Sequence, residues 1–66
     1  MTEEQKTHLY GEAKAIQFWL VDIDRAGQLR GEASELLRQS INQLHILSDK
    51  IRSVETEENQ LNGTGN

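Results

Sequence analysis

The segment from Arg25 to Arg52 holds five bases against three acids, and Arg38, His45 and Arg52 recur in it every seven residues. Seven residues make two turns, so these side chains share one edge of a helix. Arg25 and Arg30 flank a short connection holding Gly27 and Gly31, close to where a second helix must begin. Helix amino termini and guanidinium forks both suit phosphate, and an aromatic ring can stack on a base. Arg25, Arg30 and Arg38, with Tyr10 and Trp19, are therefore a candidate anion site, for which a (cyclic) nucleotide is the natural ligand. The competing use of these bases is structural: pairing with Glu12, Asp22 and Asp24 across a helical hairpin, as charges flanking a seam do.

Other constellations carry less. Asp22 and Asp24 stand two apart, a spacing that turns two helical side chains away from each other. His8 and His45 fall in different segments, with no cysteine and no ligand spacing for a metal. Ser34, Ser40 and Ser48 have no evident base and orienting acid. Gly27 and Gly31 lack the Gly-Lys-Ser/Thr element of a phosphate loop. Asn62-Gly63-Thr64 spells a glycosylation sequon, which has no use without an export signal. The expectation is a protein that is not an enzyme, with no metal and no cofactor.

The elements that must position these residues are helices. Thr2 and Gln5 fit a capping box, and Glu3 and Glu4 suit the positive end of a helix dipole. Leu9, Ala13, Ile16, Leu20 and Ile23 form a stripe at steps of four and three. Gly27 suits the left-handed position that ends a helix, and Gly31 the start of the next, with Glu32 and Glu35 in its first turn. Ala33, Leu37, Leu44, Leu47, Ile51 and Val54 form a second stripe, supported by Leu36. The pattern predicts an all-α antiparallel helical hairpin, with helices over about 3–25 and 31–57. A hairpin domain over 1–58 and a polar, flexible carboxy-terminal tail over 59–66 follow.

A lone hairpin does not use all its apolar residues. The run Ile16-Gln17-Phe18-Trp19-Leu20-Val21 is apolar nearly all the way round a helix, with Phe18 ~200° and Val21 ~140° from Ile16. On the second helix Ile46 points ~160° from Leu44, and Ile41 flanks the seam. Phe18, Trp19, Val21, Ile41 and Ile46 are thus the candidate interface, since exposing the set makes a larger patch than monomers tolerate. Sixty-six residues without cysteine or proline give a marginal domain, and small scaffolds of this kind lean on partner subunits. A homo-oligomer, dimer or higher, is expected, with a four-helix bundle the simplest closed form.

The start Met1–Lys6 is polar and net acidic, unlike a signal peptide, and no run approaches a membrane span. A cytoplasmic setting is expected. Net charge is −4, which disfavours a strong binder of nucleic-acid backbone.

The hairpin architecture resembles the small RNA-binding dimers that regulate plasmid copy number. The spacing of Ala33, Leu37, Ser40, Ile41 and Leu44 is similar to that in phage-encoded helical hairpins that oligomerise and sequester cyclic nucleotides. Ser34 and Glu35 stand where those carry a basic-plus-hydroxyl pair. Three functions are therefore expected, in this order. The first is an oligomeric regulatory or inhibitory protein of phage or mobile-element type, acting on a protein target. The second is an oligomeric sponge for a small anion. The third is an RNA-binding hairpin dimer.

Overall fold

The computed structural model describes residues 1–57. Two helices, α1 over Glu3–Arg25 and α2 over Gly31–Arg52, pack against each other as an antiparallel hairpin, with no strand among the described residues. The expected tail over 59–66 and the Asn62 sequon lie outside the described residues.

Local chemistry sets each end of α1. The Thr2 hydroxyl accepts from the Gln5 backbone N–H at 3.1 Å, and the Gln5 side-chain oxygen accepts from the Thr2 N–H at 2.9 Å. This is the capping box, which satisfies two orphan donors at once. At the other end the Gly27 N–H donates to the Asp24 carbonyl at 3.0 Å, and Gly27 takes φ +66°. That left-handed turn is open to glycine without the Cβ clash other residues meet. Arg30 supplies the extended residue before α2, and its side chain does not cap the helix. Its guanidinium reaches back instead, donating to the Gly27 carbonyl at 2.8 Å.

α2 stops at Arg52, five residues short of the 57 that the periodicity predicts. The N–H groups of Ser53 and Val54 donate to Lys50 and Ile51, three residues back, and the Ser53 hydroxyl also donates to the Lys50 carbonyl. Lys50 and Arg52 in the last turn suit the negative end of the dipole, whereas continuing the helix would set Glu55 and Glu57 there. The chain instead folds over the start of α1. The Glu57 N–H donates to the Met1 carbonyl at 3.0 Å, and the Met1 ammonium pairs with the Glu57 carboxylate at 3.1 Å. Between them Thr56, only 1% exposed, donates from its hydroxyl to the Glu3 carboxylate at 2.8 Å.

The seam between the helices follows a heptad. In α2 the covered positions are Ser34, Leu37, Ile41, Leu44, Ser48 and Ile51, alternating steps of three and four. In α1 the covered positions include Lys6, Tyr10, Ala13, Gln17, Leu20 and Asp24, in the same alternation. This is the spacing that keeps one line of side chains facing a partner helix. It differs from the apolar stripes. At 100° per residue each stripe is turned ~60° from the seam. Small or polar residues, among them Ala13, Gln17, Ser34 and Ser48, occupy much of the seam, and Leu9, Ile16, Leu36 and Leu47 stay exposed. Among the described residues only Ala13 and Leu37 are buried apolar side chains. One chain encloses almost no core.

Candidate interaction surfaces

Both apolar stripes lie on the same side of the hairpin. Antiparallel helices wind in opposite senses when viewed end-on, so turning each stripe toward lower residue angle carries both to one broad face. Leu9 and Ile16 from α1 and Leu36 and Leu47 from α2 point to that face, with Leu36 53% and Leu47 48% exposed. Ile23, Leu44 and Ile51, half-covered by the packing, continue the face inward, and Val54 extends it past α2. A contiguous apolar face of this kind is what protein–protein contacts cover.

The residues singled out as an interface do not gather on that face. Phe18 and Trp19 are 62% and 64% exposed, but Phe18 points ~160° from Ile16 by the shorter way round, while Trp19 sits ~60° away, at the rim of the apolar face. Val21 and Ile41 are half-buried on the opposite side of the seam, where they line a shallow cleft with Gln17, Asp24, Arg38 and His45. Ile46 is exposed on the outer side of α2. The heptad of covered residues is the signal that separates these positions; the apolar stripes alone merge seam and open face.

The candidate anion residues divide between the two ends of the molecule. Arg25, Arg30 and Arg38 gather at the connection, but two of them have partners within the chain. Arg30 holds the Gly27 carbonyl, and Arg38 stands 3.7 Å from the Asp24 carboxylate. Tyr10 lies fifteen residues before Arg25, ~22 Å along the helix at 1.5 Å per residue. Trp19 projects from the outer side of α1. One chain does not bring the five together.

Tyr10 has other company. The Lys14 ammonium and the Arg52 guanidinium each lie 5.8 Å from its ring centre, within the range in which a cation is attracted by the ring's negative face. Lys6, Thr7, Tyr10 and Arg52 line a shallow cleft of about 410 Å³. The spacing Lys6-Tyr10-Lys14, two steps of four, carries this cluster in the sequence. It passes unnoticed when attention rests on the base-rich segment alone.

Each histidine faces a carboxylate on its own helix. His8 meets Glu12 at 2.7 Å and His45 meets Asp49 at 3.7 Å, each one turn along the same helix. Asp24 is the acid that takes Arg38 across the hairpin; Glu12 pairs within α1. Among the described residues no three His, Cys, Asp or Glu side chains converge as metal ligands, and no helix is long and apolar enough to cross a membrane.

Compared with protein-family models, curated proteins and solved structures, the chain matches none.

Proposed function

We propose that this chain is a small non-catalytic interaction protein whose working form is a homo-oligomer closed over its apolar face. One observation carries the reading: the hairpin buries only Ala13 and Leu37 among its apolar side chains while Leu9, Ile16, Leu36 and Leu47 stand open together. Ordering a residue's backbone costs about 1–2 kcal/mol, and a fully buried leucine returns about 1.5–3 kcal/mol. Leu20, Ile23, Leu44 and Ile51 are only half-covered in one hairpin, so covering the apolar face adds burial that a single chain lacks. A second copy presenting the same four residues would place leucine and isoleucine against their like, the self-complementary contact a two-fold axis requires. The product is a four-helix bundle.

Assembly through that face leaves the outer surfaces free, and these suit a regulatory or inhibitory role by protein contact. Phe18 and Ile46 lie outside the apolar face, so an oligomer would still display them as apolar points of attachment for a target. Light scattering on a sizing column tests the assembly. A particle of two or more chains supports the reading, and a folded single chain at tens of micromolar refutes it.

A further inference from the structure

We infer that Lys6, Lys14 and Arg52, gathered around the Tyr10 ring, form a binding site for a phosphate-bearing small anion. The first ground is convergence. Two of the cations lie 5.8 Å from the centre of one ring, and Lys6 lines the same cleft as Tyr10 and Arg52. Lys6 and Lys14 stand one turn to either side of Tyr10 on α1, while Arg52 comes from α2, so the hairpin itself assembles the cluster.

The second ground is that the positive charge is left unneutralised. The chain has eleven carboxylate side chains and seven Lys and Arg, enough acid to pair every base. Yet none of these three cations is in an ion pair among the described residues. Lys14 donates only to the neutral Gln17 side chain, at 3.1 Å. At the connection, Arg38 faces the Asp24 carboxylate at 3.7 Å, and Arg30 donates to the neutral Gly27 carbonyl. Lys6 and Arg52 share the cleft, and Lys14 stands on the Tyr10 ring at its wall; like charges this close repel, and an anion carrying two or more negative charges relieves that repulsion.

The chemistry fits phosphate more closely than a carboxylate. A guanidinium offers a fork to two phosphate oxygens, and ammonium groups act as point charges on the others. The Thr7 hydroxyl at the cleft wall can donate to an oxygen, and the exposed part of the Tyr10 ring gives a base a surface to stack on. Tyr10 and Lys14 also lie ~100–140° around α1 from the apolar stripe. Covering the apolar face therefore leaves the cleft open, and the site stands independently of the assembly.

The test is a titration of the isotopically labelled full chain with pyrophosphate and, separately, adenosine triphosphate, read from backbone amide resonances. Saturable shifts centred on Lys6, Thr7, Tyr10 and Arg52 are expected, weakened about tenfold by Arg52→Gln or Lys6→Gln, the loss of one charged hydrogen bond. Arg30→Gln, at the far end, should leave the affinity unchanged. Equal binding of the two compounds assigns recognition to the phosphates alone, and tighter binding of the nucleotide adds stacking on Tyr10; either supports the site. No saturable shift with either compound overturns it. So does a response centred on Arg25 and Arg30, or one that survives both glutamine variants with their helical circular dichroism intact.

Discussion

The Arg52 guanidinium lies over the Tyr10 ring, 5.8 Å from its centre, and fourteen residues on along α1 and fourteen back along α2 Arg38 meets Asp24 at 3.7 Å. Both cross-hairpin contacts obey one register, for Tyr10 and Asp24 are two heptads apart, as are Arg38 and Arg52. The helices therefore run alongside each other without slipping over that distance. Tyr10, Arg52, Asp24 and Arg38 mark this side of the seam, and Leu9, Ile16, Leu36 and Leu47 mark the other.

This division predicts which substitution disperses the assembly. Leu47→Asp sets a charge in the middle of the apolar face and should reduce the native mass to that of one chain. Phe18→Asp, outside that face, should leave the mass unchanged. Light scattering on the two variants checks this, and the reverse result would place the interface on the outer side of α1.

Leu37 is the largest apolar side chain that a single hairpin buries. Leu37→Ala should cost about 2–5 kcal/mol, the range for leucine truncation in a core. Urea unfolding followed by circular dichroism would record it. A cost below 1 kcal/mol would mean that the seam tightens over the gap.

The Thr2–Gln5 capping box predicts a loss of about 0.5–2 kcal/mol for Thr2→Ala. The damage should concentrate in the first turns of α1, where the Thr56 and Glu57 contacts also lie. Amide hydrogen exchange would show faster exchange near Lys6 before any change near Leu20.

Gly27 holds φ +66°, and its surroundings offer an added Cβ no close contact beyond the Arg25 carbonyl at 3.9 Å. The cost of Gly27→Ala is thus conformational rather than steric crowding by neighbours, about 1–2 kcal/mol for a left-handed residue with a side chain. A fall in thermal midpoint with unchanged native mass is the expected outcome.

By contrast, Arg38→Gln should cost no more than about 1 kcal/mol. Its pair with Asp24 is long at 3.7 Å, and the Arg38 side chain is mostly exposed, so solvent screens the attraction. A larger loss by urea unfolding would show that the register depends on this pair.

Much of the fold was legible because helix ends are written in short-range chemistry. Thr2, Gln5, Gly27 and Gly31 act within four residues of themselves, and both helix starts and the first helix end follow from them. The end of α2 was not legible, because Ile51 and Val54 continue an apolar period past the point where Ser53 and the acids after it turn the chain. The seam was harder still. Apolar stripes show which residues avoid water, whereas the heptad of Tyr10, Ala13 and Gln17 against Leu37, Ile41 and Ser48 shows which ones meet within a single chain. Where the two disagree, the apolar residues left over belong to a contact that one copy cannot make. The Tyr10 cluster joins residues forty-two positions apart, Tyr10 and Arg52, and only the antiparallel register brings them together.

The most direct test of the central claim is the native mass of the unmodified chain, measured by multi-angle light scattering at tens of micromolar. An assembly closed over Leu9, Ile16, Leu36 and Leu47 predicts 15 kDa or a higher multiple of the 7.5 kDa chain. A particle of 7.5 kDa with full helical circular dichroism would contradict it.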